Sequence, residues 1–339
     1  MSAEYATFGL APAMRAGGVL ANGDYQAHRD FVDFIVDGRP LLYQLSDLDA
    51  VSPLASDVPP AIFTAQVRSL LLEADAPLEG GRYVIYGCPE CEDLGCGAVT
   101  AAIERHGDDY VWRDFAWQTD EHADLERNGY HGIGPFLFHG EEYRAALGSL
   151  LTGTAGERRR VLLIGARAAV LAKLAAALRI IGIGAETAQD ATDISADELR
   201  TYGAVAFGRA VTEQERTAVR QSFEHAGADV AYVEGLAPIV PLLVAQIENA
   251  LDRSPEEQRR LTRLVAADGE AGVEVTSTCR VRLTAYRLDR LYRTHMYEVF
   301  DGVLEAGRHR LALDAKATKG ESFIVARTSG GVLVEAMVR

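Results

Sequence analysis

The chain has 339 residues, 48% hydrophobic and 24% charged, a globular composition that excludes an intrinsically disordered polymer. Its formal net charge of −15 repels phosphate backbones and anionic bilayers, which argues against nucleic-acid or membrane-surface partners. Four cysteines are too few for a disulfide framework in so long a chain, and their clustering fits a reducing, cytoplasmic setting.

Residues 1–152 read as mixed α and β. Phe31 to Val36 is an apolar-rich strand that ends at Asp37-Gly38, a hairpin signal, with Leu41-Leu42-Tyr43 following. After Pro59-Pro60, the spacing of Phe63, Val67, Leu70 and Leu71 predicts a helix over 61–73. Tyr83 to Tyr86 is a strand running into Cys88-Pro89-Glu90-Cys91-Glu92-Asp93-Leu94-Gly95-Cys96. Strands over 97–105 and 110–117 come next, joined by His106-Gly107-Asp108-Asp109, and then a strand over 135–138 and a helix over 141–151. Trp112, Phe115, Trp117, Phe136 and Phe138 are the aromatic core of this part. Thr152-Gly153-Thr154-Ala155-Gly156 is the expected linker.

Residues 157–252 alternate strands with amphipathic helices. Arg158-Arg159-Arg160 leads into Val161 to Ile164, a continuous apolar strand of the kind buried on both faces. Val170, Leu171, Leu174, Leu178 and Ile181 form one helix stripe, and Ile239, Val240, Leu243, Ile247 and Leu251 form another. Ala204 to Phe207 and Val230 to Val233 are further short buried strands, and Ser195 with Glu198 and Thr212 with Glu215 are capping boxes. The alternation implies a parallel sheet covered on both faces. Leu236 to Ile247 is the longest apolar stretch, and with Pro238 and Pro241 inside it no membrane span is expected. The N-terminus lacks a basic region followed by an apolar one, so no signal peptide is expected either. Beyond a short polar helix at Ser254-Pro255-Glu256-Glu257, the chain reads as all β from Val273, with Cys279, Val281 and Leu283 alternating against Arg280, Arg282 and Thr284.

The chemistry concentrates in the cysteines. Cys88, Cys91 and Cys96 form C-x2-C-x4-C, with a proline inside the first pair and a glycine before the third thiol, which suits a tight knuckle. Zinc with Cys3His ligation is the favoured reading, with His122 as fourth ligand, His131 and His139 behind it, and Asp93 or Asp120 as oxygen donors. His122 leads because pairing Arg105 with Tyr110 would set Cys96 opposite Thr119. A structural staple is preferred to a catalytic site. The alternative is a redox centre in which Cys88 attacks and Cys91 or Cys96 resolves, although Glu90, Glu92 and Asp93 would raise a thiol pKa. Cys279 reads as a core residue.

The glycine test for a dinucleotide fingerprint is mostly negative, since of positions 165, 167 and 170 only Gly165 complies. Gly165, Arg167 and Asp190 are the candidate cofactor-binding residues, and nucleotide binding stands as a second alternative. Receiver-type phosphotransfer is excluded, because Gly165, Ala166, Gly208 and Arg209 occupy the positions where its acids belong. There is no G-x-S-x-G and no zincin histidine spacing, so no residue is assigned as catalytic.

The stretch from Val84 to Trp117, with Cys-Pro-x-Cys-x-Asp-Leu-Gly-Cys-Gly-Ala-Val-Thr at 88–100 and Trp112-Arg113-Asp114-Phe115, resembles a group of short uncharacterised actinobacterial proteins, some loosely labelled oxidoreductases. That resemblance spans residues 28–150 and implies kinship without a substrate. Leu304-Glu305-Ala306-Gly307-Arg308-His309-Arg310-Leu311 resembles the Ig-like tails of flagellar hook-capping and type IX secretion-sorting proteins, implying a small sandwich used for packing or partner contact. The expectation is therefore a multidomain α+β and α/β protein: a Cys-knuckle α+β domain (1–152), a Rossmann-like or flavodoxin-like parallel-sheet domain (157–252) and a small C-terminal Ig-like β-sandwich (270–339). Its function would be that of a zinc-binding bacterial accessory or scaffold protein with a protein partner.

Overall fold

The computed structural model describes residues 4–19, 24–45, 48–91, 93–152, 160–192, 194–235, 237–267, 269–289, 291 and 293–337. Gly153 to Gly156 of the expected linker, together with Glu92, Arg158, Arg159 and Leu236, lie outside the described residues. The chain divides into two units: Met1–Arg15 with Arg29–Ala155, and Ala16–His28 with Gly156–Arg339. Among the described residues no helix is long and apolar enough to cross a membrane.

In the first unit, β1 (Phe8–Arg15) pairs antiparallel with β2 (Arg29–Val36) over eight residues. The turn after β2 is Asp37-Gly38, with φ of 52° and 73°, the geometry of a two-residue primed turn that matches strand twist. The returning strand is only Arg39–Pro40. Leu41–Gln44 then coils into a helical turn, because proline presets the start of a helix and Leu41 and Leu42 are buried by it. A second, antiparallel meander runs β3 (Arg82–Gly87), β4 (Ala98–His106), β5 (Asp109–Gln118) and β6 (Phe136–Phe138). Helices α1 (Pro60–Leu70) and α2 (Gly140–Thr152) share the core with it. Trp112 and Tyr143 are fully buried there, with Trp112 Nε1 donating to Tyr143 Oη (3.1 Å) and that hydroxyl donating to the Leu70 carbonyl (2.8 Å). Phe115 and Phe138 are buried as well, while Trp117 and Phe136 are partly buried against the same cluster.

The β4–β5 hairpin does pair Arg105 with Tyr110, but the register slips by one residue farther along. Ala102 lies opposite Arg113, whereas Thr100 lies opposite Ala116 and Ala98 opposite Gln118. The cause is a bulge at Asp114, whose φ is 55°. Arg82, buried, braces the bulge by donating from Nη2 to the Asp114 carbonyl (2.8 Å) and to Thr100 Oγ1 (2.7 Å).

In the second unit, four parallel strands, β7 (Arg160–Ile164), β8 (Gly184–Ala188), β9 (Ala204–Phe207) and β10 (Ala231–Glu234), lie in the order β8-β7-β9-β10. Alternate side chains of β7 face opposite layers. Val161 and Leu163 meet α3 (Ala168–Ile180) and α6 (Val240–Leu251). Leu162 and Ile164 meet α4 (Ala196–Leu199) and α5 (Glu213–His225). The capping box at the start of α5 is complete, with Thr212 and Glu215 each accepting from the other's backbone amide.

Farther along, a three-stranded sheet of β11 (Leu261–Ala267), β12 (Glu270–Val275) and β15 (Gly307–Ala312) shares one core with a four-stranded sheet. That second sheet holds β13 (Cys279–Leu288), β14 (Thr294–Leu304), β16 (Glu321–Thr328) and β17 (Gly331–Ala336). Cys279 is fully buried in that core with Val281, Leu283 and Ile324. Residues 16–28 join this unit through Glu248 on α6, which has no solvent exposure. Gly17 N donates to Glu248 Oε1 (2.6 Å), His28 Nδ1 lies 3.3 Å from the same oxygen, and Arg327 Nη2 ion-pairs with Oε2 at 2.6 Å.

Candidate metal centre

The knuckle begins where β3 ends. Gly87 is held by two backbone hydrogen bonds with Val51 (3.1 and 2.9 Å), so Cys88 leaves a fixed strand end. The Asp93 carboxylate caps the 3-10 turn Leu94–Cys96 by accepting from Gly95 N (2.8 Å). Gly97 then turns back into β4 with a φ of 96°. A Cβ there would stand 2.0 Å from the Trp117 ring, so both backbone and packing demand glycine. Gly97→Ala is expected to displace Trp117 and destabilise the unit by about 2–4 kcal/mol, from left-handed strain plus overpacking. Urea unfolding followed by tryptophan emission checks this, and a midpoint equal to wild type refutes it.

Cys88, Cys91 and Cys96 converge, with all three sulfurs within 4.8 Å of one another and Cys91 Sγ 3.1 Å from Cys96 Sγ. Cys88 is half-buried and the other two are exposed. Burial pushes the Cys88 thiol up, but the amides of Glu90 and Cys91 and the neighbouring thiols outweigh it and hold the group below its ordinary value. Cys96 is pushed up to about 11 by its hydrogen bond and charge repulsion with Cys91. The expectation from Glu90, Glu92 and Asp93 is a raised thiol pKa. Cys88 departs from this because backbone amides and the neighbouring thiols stabilise its thiolate.

Arg15, at the end of β1 and 5% exposed, forks onto Asp49 (Nε–Oδ1 2.7 Å, Nη2–Oδ2 2.6 Å) and reaches Glu90 with Nη1 (2.6 Å). Sequence reasoning missed this residue and the Trp117 ring over Gly97. The one signal for Arg15 was a lone charge closing an otherwise uncharged run, Phe8 to Met14.

Among the described residues no other His, Cys, Asp or Glu joins the trio. His122 is exposed, with Nε2 2.8 Å from Glu79 Oε2. Glu79 precedes β3 and Cys88 follows it, so about 16 Å of strand separates the two ends. His122 is therefore placed away from the thiols, beside Glu79. His139 stacks on Tyr5 at 3.6 Å, His131 is exposed, and Asp120 accepts from His122 N (3.1 Å).

Of the candidate cofactor residues, Gly165 and Arg167 line a cavity of about 350 Å³ in the second unit. Asp190 is outside that lining, and its carboxylate accepts from Thr192 N (2.9 Å). No family matches this sequence, and no curated protein or solved structure is similar to it, so the likenesses carried by 88–100 and 304–311 rest on those residues alone.

Proposed function

We propose that the knuckle holds a zinc ion through Cys88, Cys91 and Cys96, and that the protein serves as a cytoplasmic accessory or scaffold protein for a protein partner. The convergence of three sulfurs within 4.8 Å carries this reading. Thiolates about 2.3 Å from a tetrahedral zinc stand about 3.8 Å apart, inside that envelope. The hydrogen bond and charge repulsion with Cys91 that push Cys96 up to about 11 would give way to a divalent cation. Bound zinc would supply charge neutralisation and a covalent staple for the loop between β3 and β4. The fourth position falls to water or to a partner's side chain, since Cys91 and Cys96 are exposed. For His122 to be the fourth donor instead, its loop would have to leave Glu79 and cross to the thiols. In this reading the C-terminal strands form an Ig-like docking module and the parallel sheet a Rossmann-like one.

Elemental analysis of protein purified without added metal or chelator tests the reading. About one zinc per chain is expected, falling below half in Cys88→Ser. No metal, together with three freely alkylated thiols, would sink it.

The depressed Cys88 thiol and the Cys91–Cys96 approach favour one other reading, thiol–disulfide exchange. Cys88 would attack a substrate disulfide and release one thiol. Cys91 would then displace the other, leaving the protein with a Cys88–Cys91 disulfide. Metal-free protein that turns over a disulfide substrate with a small dithiol supplied to re-reduce Cys88–Cys91, and loses turnover in Cys88→Ser, would establish it.

A further inference from the structure

We propose that the cavity at the carboxyl edge of the parallel sheet binds a small organic anion, with an apolar body inside and a single carboxylate or phosphate at Arg167. The position follows from topology. From β7 the chain crosses to β8 on one side, and it later reaches β9 on the other, so the loops after β7 and β9 diverge. Open parallel sheets bind ligands in the crevice at such a switch point.

The floor of the cavity is made of glycine. Gly165, Gly208 and Gly235 each follow the last residue of a strand, β7, β9 and β10 respectively, and all three line the space. None has a positive φ. A Cβ at Gly165 or Gly208 would meet nothing nearer than 3.5 Å, so neither backbone nor packing calls for glycine at those two positions. What the missing side chains leave is room, at the place where a ligand approaches the strand ends.

The walls decide the ligand class. Leu163, Leu171, Leu174, Val233, Leu243 and Ile247 make an apolar lining, suited to a ring or short acyl chain. Among the described residues, Arg167 and Arg209 supply the only charged side chains on it. Arg209 is spent on an ion pair with Glu321, whereas Arg167 is exposed and has no ion pair among the described residues. Arg167 is also the N-cap of the 13-residue α3 and gives no side-chain cap, which leaves the first amides of that helix to favour an anion at the same end. A diphosphate does not fit this arrangement. Val170 and Arg167 stand where backbone would have to approach it closely, and Asp190 is outside the lining.

The test uses the full chain and a matched pair of dyes: 8-anilinonaphthalene-1-sulfonate, and the uncharged N-phenyl-1-naphthylamine. One saturable site for the sulfonate is expected. Arg167→Ala should weaken the sulfonate at least tenfold and leave the uncharged dye unchanged, since Arg167 is exposed and its loss does not threaten folding. Gly208→Val should abolish binding of both dyes with an unchanged far-UV spectrum; should it fail to fold, the Arg167→Ala comparison decides alone. Displacement by octanoate or by phenyl phosphate distinguishes the carboxylate from the phosphate head. Absence of a saturable site, or equal effects of Arg167→Ala on the two dyes, overturns the proposal.

Discussion

Glu248→Ala should destabilise the second unit by about 3–5 kcal/mol, the range for breaking a buried ion pair by removing one partner. The carboxylate is fully buried and receives Gly17 N, His28 and Arg327, so alanine leaves the Gly17 amide without this acceptor and the Arg327 guanidinium without its ion-pair partner. Glu248→Gln should lose less, because its carbonyl still accepts from Gly17. The pH dependence has a definite sign. Burial alone would raise this carboxyl, but Arg327 and His28 hold it at about 2 against an ordinary 4.5. A depressed carboxyl stabilises above its unfolded value, so on the order of 3 kcal/mol is present above pH 4.5 and lost as pH falls from there toward 2. That acid limb should be missing from Glu248→Gln. Both tryptophans, Trp112 and Trp117, belong to the first unit, so the readout is far-UV dichroism or calorimetry rather than emission. A Glu248→Ala midpoint equal to wild type would refute the assignment.

On the proposed zinc reading, Arg15→Met should weaken zinc at the knuckle about 10–100-fold, the usual consequence of losing a residue that orients the ligand-bearing loop. Methionine keeps the buried stem but drops the fork to Asp49 and the contact to Glu90. The peptide between Cys88 and Cys91 then loses its anchor, and with it the alignment of the two amides that hold the Cys88 thiol down. Competition with a chelating dye measures the affinity. The pH profile of Cys88 alkylation in metal-free protein gives the second readout: it should move upward in Arg15→Met and return partly in Arg15→Lys. Unchanged profile and affinity would show that Arg15 is only a structural bolt.

Much of the architecture could be read in advance, and the reasons are local. Val161 to Ile164 and Ala204 to Phe207 are continuous apolar runs, and they are the buried parallel strands. Cys279, Val281 and Leu283 alternate with charge, and they point into the core shared by the two sheets. Three cysteines within nine residues had little choice but to meet. What escaped depends on partners far away or on single backbone torsions. Phe8–Arg15 carries Pro12 and small residues, a poor strand by propensity, and it is tolerated because β1 is the edge of its sheet. Asp114 adopts a left-handed torsion that no composition rule announces, and it shifts the β4–β5 pairing by one residue. Leu41-Leu42-Tyr43 looks like a strand by pattern, yet Pro40 sets a helical turn. Arg15 and Glu248 draw their meaning from residues 75 and 231 positions away, respectively, which periodicity cannot see.

The allegiance of Ala16–His28 to the second unit sets an order of assembly. During synthesis these residues emerge early, yet Gly17 must wait 231 residues for Glu248, and His28 must wait 220. All of Arg29–Ala155 is made in the interval, so the first unit can condense while the second is still missing its closing partner. Genetic dissection inherits the same constraint. A fragment starting at residue 157 would carry the Glu248 carboxylate without Gly17 or His28, and a cut between the units would need three breaks in the chain, after Arg15, His28 and Ala155.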